Sequence, residues 1–155
     1  MSGVLRISDA AALAIHATAL IAGKSSAGGM TVTALAGLLR GSEAHLHKVM
    51  QRLVRHGIVQ SRRGPKGGFE LGRAAAQITI LEIYEAVDGP LKTHGCLLGR
   101  PVCPPGAHCV LGNLTQSVAR QMRHYMSSST LADIMLSPEL LAAAGGDREL
   151  ARGGE

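Results

Sequence analysis

The fold of this 155-residue chain is set by the stretch GSEAHLHKVMQRLVRHGIVQSRRGPKGGFEL, residues 41–71. Ser42 is a favourable N-cap and Gly57 a favourable C-terminal stop, which predicts a helix that ends at His56. Its apolar residues follow the spacing i, i+3, i+4, i+7 and i+8, so they share one face. These residues are Leu46, Val49, Met50, Leu53 and Val54. The opposite face is basic and carries His45, Lys48, Arg52 and Arg55. The pattern predicts an amphipathic helix with one buried and one cationic face.

The segments on either side of this helix complete a compact unit. A short helix at residues 33–39 precedes it and is broken by the tight turn RGS at residues 40–42. Residues 58–71 contain two short strand-like runs around a basic tip rich in glycine and proline, which predicts a β-hairpin. Two helices joined by a tight turn and followed by such a hairpin form a winged helix-turn-helix. The predicted fold class is therefore mainly α with a small β wing.

The rest of the chain predicts three further helices. Ser8 can cap a first helix that runs to about Ala22, and a helix at residues 79–87 is stopped by the sequence DGP. Beyond it, apolar residues recur every three or four positions, at Leu111, Leu114, Val118, Met122 and Tyr125. This stripe could pack on its own domain or against a second subunit, and we favour a long C-terminal dimerisation helix. The predicted domains are residues 1–90 (winged helix), 91–110 (cysteine loop), 111–136 (dimerisation region) and 137–155 (flexible tail).

Composition and charge narrow the class of partner. Hydrophobic residues make up 46% of the chain and aromatic residues only 2%, so the core must be aliphatic. The net charge is +5, but residues 40–73 alone hold eight basic and two acidic residues, a net charge of +6. Such a concentration favours a polyanionic partner, although a plain solvated face is the alternative.

The sequence also predicts the cellular location of the protein. No apolar run reaches the roughly 18 residues that a membrane-spanning helix needs. The N-terminal region loosely resembles a secretion signal, but Asp9 and His16 interrupt its apolar part. We therefore expect a cytoplasmic protein with no membrane partner, and in a reducing compartment clustered thiols more often bind metal than form disulfides.

A helix-turn-helix of this kind predicts specific contacts with double-stranded DNA. The N-terminal part of the second helix would meet base edges in the major groove. Its residues there are Ser42, Glu43, His45, His47 and Lys48. Arg40, Arg52 and Arg55 would meet phosphates, which position the protein but read little sequence. The wing residues Arg62, Arg63 and Lys66 would enter or straddle the adjacent minor groove. His47 flanks the buried stripe and could instead be a boundary residue.

All three cysteines lie in HGCLLGRPVCPPGAHCVL, residues 94–111, at Cys96, Cys103 and Cys109. Glycine and proline make this segment irregular. Thiolates prefer iron–sulfur clusters, zinc or copper(I). Structural zinc is disfavoured because the short Cys-x-x-Cys knuckle is absent, and a metal-free switch with a disulfide such as Cys103–Cys109 is another alternative. A thiol enzyme is disfavoured because the sequence has neither a Cys-x-x-Cys helix start nor a βαβ pattern.

Two segments carry a family resemblance. RRGPKGGFEL, residues 62–71, and ITILEIYEAVDGPL, residues 78–91, resemble the wing and following helix of bacterial winged-helix regulators that include IscR and NsrR. The order of parts also agrees over about residues 4–136. The resemblance implies a homodimeric, sequence-specific, cytoplasmic transcription regulator and not an enzyme. It further implies an iron–sulfur cluster that senses nitric oxide, oxygen, redox state or cluster supply.

The resemblance also assigns ligands. Cys96, Cys103 and Cys109 match the cluster cysteines of the family. IscR-like members place a histidine three positions after the last cysteine, where this chain has Gly112. NsrR-like members can use an aspartate near the start of the first helix, which matches Asp9, donated by the other subunit. An acid at a helix start is also favourable without any metal.

Two histidines, His94 and His108, are alternative fourth ligands. The expected cofactor is an iron–sulfur cluster with either two or four irons. The prediction is a repressor that senses nitric oxide or redox and iron–sulfur status. The alternative is a cluster-free disulfide switch or a regulator with a structural zinc site.

Overall fold

The computed structural model describes residues 7–24, 28–65, 67–91 and 114–134. Within these residues the helices are α1 (Asp9–Gly23), α2 (Val32–Leu39), α3 (Glu43–Arg55), α4 (Ile80–Asp88) and α5 (Leu114–Ser128). The strands are β1 (Val59–Arg62) and β2 (Gly68–Leu71), and short 3-10 turns span Ala75–Gln77 and Leu131–Asp133. The winged-helix fold class, mainly α with a small β wing, is confirmed.

Side-chain caps explain where the helices begin. The hydroxyl of Ser8 accepts a hydrogen bond from the Ala11 N–H at 3.0 Å, and that of Ser42 accepts one from the His45 N–H at 3.4 Å. Both caps were predicted from the sequence. Each satisfies one of the amide groups that a helix start leaves without an intrahelical partner. The predicted boundaries of α1 to α4 hold to within about two residues, which is the usual uncertainty of such ends. Helix α5 ends at Ser128, eight residues before the end of the predicted dimerisation region.

The core is aliphatic, as the composition predicts, and α1 lies at its centre against α3 and α4. Ala11, Ala14, Ala17 and Leu20 of α1 have no exposed surface. Small alanine side chains allow neighbouring helices to approach closely, so α1 can be enclosed on several sides. From α3 the core receives the predicted stripe: Leu46, Val49, Met50 and Leu53 are buried, and Val54 is half-buried. The basic face of α3 is thereby turned outward.

The wing is an antiparallel hairpin held against the segment before α2. Val59 pairs with Leu71 at its base and Arg62 pairs with Gly68 near its tip. Met30 extends the sheet by one residue, because its N–H donates to the Phe69 oxygen at 2.9 Å and the Phe69 N–H donates back at 2.8 Å. Gly68 has φ +132°, and a Cβ there would lie 2.6 Å from the Met30 oxygen. Glycine is therefore required at this position of the wing.

Helix α5 divides its apolar residues between two faces. Ala119 and Met126 are buried and Met122 packs beside them, whereas Leu114 is 55% and Tyr125 67% exposed. The predicted stripe thus packs partly on its own domain, and an interface with a second subunit stays a prediction for the exposed face. Leu111 and the predicted tail lie outside the described residues.

The chain after α5 returns to the beginning of α4, a feature that the sequence did not predict. Leu131 has no exposed surface, and its N–H donates to the Ile78 oxygen at 2.9 Å. The Ile80 N–H donates to the Ser129 oxygen at 3.0 Å. The C-terminal end of α5 is therefore anchored in the winged-helix core. Within the described part of the chain, none of the helices has the length and apolar character to cross a bilayer.

Candidate nucleic-acid interface

The turn between α2 and α3 presents the start of α3 to solvent. Arg40 has φ 51°, the left-handed conformation, and the Gly41 N–H donates to the Ala36 oxygen at 3.0 Å. This closes α2 and redirects the chain within a few residues. The five predicted base-contacting residues that follow are all exposed: Ser42, Glu43, His45, His47 and Lys48. His47 is therefore placed on the outer surface rather than in the buried stripe.

Two of these residues also maintain the helix-turn-helix. The Ser42 hydroxyl caps α3, and the Thr33 hydroxyl donates to Glu43 Oε2 at 3.2 Å, which ties α2 to α3. Glu43 lies in the first turn of α3, where a carboxylate also favours the positive end of the helix dipole. Removing either side chain would disturb the geometry of the turn as well as any base contact.

The predicted phosphate-contacting residues Arg40, Arg52 and Arg55 are all exposed. Arg52 Nη1 donates to the Val87 oxygen at 2.8 Å, so this guanidinium connects α3 to the last turn of α4. The contact of Arg52 could not be found from the sequence, because its acceptor is a backbone carbonyl 35 positions away.

One arginine of the wing is held by an ion pair within the hairpin. Arg62 Nη1 lies 3.2 Å from Glu70 Oε1, with 66% of the Arg62 side chain and 24% of the Glu70 side chain exposed. The pair holds the arginine along the hairpin and offsets part of its charge. Arg63 is exposed beside it at the tip. Lys66 lies outside the described residues.

Arg73, just after the wing, is directed toward α4 instead. Its Nη2 donates to Glu82 Oε1 at 3.0 Å. Partial burial raises the pKa of Glu82, but hydrogen bonds from the Thr79 backbone, Arg73 and the Thr79 hydroxyl outweigh it. The pKa of Glu82 therefore lies below its ordinary value of 4.5.

The predicted cluster ligands are mostly beyond the described part of the chain. Cys96, Cys103 and Cys109 lie outside it, as do His94 and His108. Asp9 is the exposed first residue of α1, directly after the Ser8 cap. Across residues 7–24, 28–65, 67–91 and 114–134, no three histidine, cysteine, aspartate or glutamate side chains gather in a way that could hold a metal ion.

The fold and the exposed cationic face of α3 define a winged-helix DNA-binding protein. Residues 7–137 match the model of the Rrf2 family, described as iron-dependent transcriptional regulators, and the chain belongs to this family. Membership confirms the resemblance noted from the wing and α4. The members of this family are described as transcriptional regulators rather than enzymes.

Individual relatives agree with this assignment. The HTH-type transcriptional regulator IscR of Photorhabdus laumondii is 33% identical over 104 residues, which cover 67% of this chain and 63% of the relative. This chain therefore spans less than two thirds of the length of that relative. IscR of Escherichia coli O1:K1 is 27% identical over 141 residues, covering 91% of this chain and 86% of the relative.

Solved structures share the fold. CymR, the global cysteine regulator of B. subtilis, superposes with a TM-score of 0.71 at 23% identity, covering 84% of this chain and 96% of CymR. IscR of T. potens superposes with a TM-score of 0.66 at 22% identity, covering 97% of this chain and 93% of the other. At these identities the likeness concerns the fold alone.

Proposed function

We propose that this protein is a homodimeric, cytoplasmic repressor whose cysteine segment holds an iron–sulfur cluster and whose cluster state sets its affinity for a DNA operator. The observation that carries the proposal is the division of α3 into a largely buried stripe and an exposed face with His45, His47 and Lys48. Because the stripe fastens the helix to the core, the exposed face is held rigidly. A rigid helix start of this kind suits insertion into the major groove.

The exposed residues of α3, the turn before it and the wing would make different kinds of contact with DNA. His45, His47 and Lys48 would approach base edges, with Ser42 and Glu43 shaping the turn beside them. Arg40, Arg52 and Arg55 would approach phosphates, and Arg62, Arg63 and Lys66 would follow the backbone into the minor groove. Phosphate contacts contribute affinity that depends strongly on salt, and base contacts contribute specificity.

A second copy of the chain would cover the exposed face of α5. Leu114, Val118 and Tyr125 follow one another at spacings that place them on one side of the helix, and the first and last are largely exposed. Two such faces in contact would bury these side chains and relate two α3 helices by a twofold axis. The operator would then have two half-sites about one helical turn, roughly 34 Å, apart or a multiple of it.

The cofactor proposal rests on the chemistry of the donors and on the description of the family as iron-dependent. Three thiolates from Cys96, Cys103 and Cys109 are donors that iron–sulfur clusters accept, and a carboxylate as fourth ligand would leave one weaker corner. Asp9 lies exposed at the start of α1, where it is accessible to a group from a second subunit. Such a cluster, when bound, would supply reactivity toward nitric oxide or oxygen.

Iron and sulfide content of anaerobically purified protein, followed by operator binding, tests this function. The operator probe would be a duplex selected by the protein from a random-sequence library. Stoichiometric iron and sulfide, and weaker operator binding after nitric oxide treatment, support the proposal. Colourless, metal-free protein whose operator binding changes on thiol oxidation would replace the cluster by a disulfide switch, and zinc alone would make the site structural.

A further inference from the structure

The last turn of α4 is bonded to three other parts of the molecule. Asp88 Oδ1 accepts a hydrogen bond from the Ser8 hydroxyl at 2.6 Å, and Asp88 Oδ2 accepts one from the Ser8 N–H at 3.4 Å. Ser8 is the N-cap of α1 and precedes Asp9. On the other side of the turn, the Val87 oxygen accepts from Arg52 of α3 at 2.8 Å.

The same turn also holds the chain where it leaves α4. Glu85 Oε1 accepts from the Leu91 N–H at 3.1 Å and from Arg123 Nη1 at 3.4 Å. Arg123 Nη2 donates in turn to the Leu91 oxygen at 2.8 Å. Both backbone groups of Leu91 are therefore bonded by a Glu–Arg pair that joins α4 to α5. Leu91 is five positions before Cys96 in the sequence.

These acids are poorly placed for the stability of α4 itself. Glu85 and Asp88 lie at its C-terminal end, where the helix dipole is negative, and its last turn contains no basic residue. Their favourable interactions are with Leu91, Arg123 and Ser8, all of which lie outside α4. Stabilisation of α4 by their own charges therefore does not explain why Glu85 and Asp88 lie in this turn.

We propose that Glu85, Val87 and Asp88, named here the α4 hub, couple the state of the cysteine segment to the orientation of α3. The proposal rests on the proposed function, since it assumes that the cysteine segment has two states. A displacement of Leu91 shifts the Glu85–Arg123 pair and with it the last turn of α4. A displacement of Asp9 reaches the same turn through Ser8 and Asp88. Because Val87 is bonded to Arg52, either displacement changes how α3 faces the DNA.

The chain provides a matched control for this coupling. Arg73 and Glu82 form a second arginine–glutamate pair on α4, at 3.0 Å, with side-chain exposures of 38% and 43%. The Arg123–Glu85 pair, at 3.4 Å, has exposures of 43% and 33%. The two pairs are thus alike in chemistry and solvation, but only Arg123 and Glu85 bond the backbone of Leu91.

The experiment compares Arg123→Met and Glu85→Gln with Arg73→Met in the full chain. Affinity for the library-selected duplex is measured for the cluster-loaded protein and after removal of iron by a chelator, and the ratio of the two affinities is the readout. Allosteric coupling commonly gives ratios of about 5- to 150-fold. We expect the wild-type ratio to be retained in Arg73→Met and to fall toward one in Arg123→Met and Glu85→Gln. Arg123→Lys, which keeps the positive charge but has a single donor nitrogen in place of Nη1 and Nη2, should give an intermediate ratio.

Thermal unfolding of each variant separates loss of coupling from loss of fold. A variant that unfolds cooperatively yet has a ratio near one supports the hub. A wild-type ratio above one that Arg123→Met and Glu85→Gln both retain, or that Arg73→Met lowers equally, overturns the hub and leaves the proposed function intact. A wild-type ratio of one overturns the proposed function, and the hub with it.

Discussion

Helices α3 and α5 are both amphipathic and of similar length, 13 and 15 residues, but they leave different faces to solvent. Helix α3 buries Leu46, Val49, Met50 and Leu53 and exposes a basic surface. Helix α5 buries Ala119 and Met126 and exposes Leu114 and Tyr125. An exposed cationic face is suited to binding a polyanion. An exposed face of large apolar groups is suited to packing against another apolar surface. The two exposed faces are therefore the surfaces for the two partners proposed above, DNA and a second subunit.

The largest expected difference between the two helices is in the free energy of unfolding when a leucine of each is replaced by alanine. Leu46→Ala should lower the free energy of unfolding by about 2–5 kcal/mol, because Leu46 is fully buried and the cavity cannot be filled by water without cost. Leu114→Ala removes a side chain that is 55% exposed, so its effect should appear only through dimer formation. Chemical denaturation at several protein concentrations measures both, and a concentration-independent loss of similar size at Leu114 would contradict the comparison.

The next largest effect concerns the apolar face of α5. Tyr125→Glu should raise the dimer dissociation constant roughly 30-fold or more, about 2 kcal/mol, because a carboxylate would be buried in place of an aromatic anchor. Gln116→Glu is the control, since it adds the same charge at an exposed position on the opposite side of α5. Sedimentation equilibrium measures both variants. Dimers that tolerate Tyr125→Glu but not Gln116→Glu would place the interface on the other side of the helix.

A smaller effect tests the basic surface next to α3. Arg62→Ala with Arg63→Ala should weaken DNA binding on the order of tenfold, or about 1.4 kcal/mol, and should lower the slope of log affinity against log salt by about one per lost phosphate contact. Arg120→Ala, an exposed arginine on α5, is the matched control and should leave the slope unchanged. Titrations at several salt concentrations measure the slopes. Equal slopes for the wing variant and the wild-type protein would remove the wing from the DNA interface.

The features of α3 and of the wing could largely be predicted from the sequence, because they depend on local signals. The bounds of α3 follow from the Ser42 cap and the stop at Gly57, and its buried stripe follows from helical periodicity. The wing follows from short strand-like runs around a glycine-rich tip. These features are determined by residues close together in the chain, so no knowledge of the tertiary structure is needed to see them.

The parts that could not be predicted involve distant backbone groups. The acceptor of Arg52 is the carbonyl of Val87, and that of the Leu131 N–H is the carbonyl of Ile78, neither of which has a side-chain signature. The α5 stripe could be recognised, but spacing alone does not say whether its partner is the same chain or another. The structure answers this for the stripe residue Met122, which packs against the core of its own domain.

The smallest expected effect concerns the junction that anchors the end of α5 but not α3. Thr79 with Glu82 and Thr130 with Asp133 form two capping boxes, and Thr79 and Thr130 are joined by an antiparallel bridge. Hydrogen bonds from the Thr130 backbone and hydroxyl lower the pKa of Asp133 below its ordinary value of 3.8. The pKa of Glu82 is lowered from 4.5 despite the opposing effect of burial. Both carboxylates therefore stabilise the folded state in their charged form.

A lowered folded-state pKa means that this stabilisation is complete above pH 4.5 and is lost as the pH falls through the folded-state pKa values. For Glu82 the loss should stay below about 1 kcal/mol, because solvent screens a partly exposed pair. Amide hydrogen-exchange protection factors at neutral and acid pH measure it locally. We expect Leu131, at the junction, to lose more protection than Ile58, whose N–H bonds to the end of α3. Glu82→Gln should reduce the pH dependence at Leu131, and equal losses at both amides would show that α3 and the end of α5 unfold as one unit.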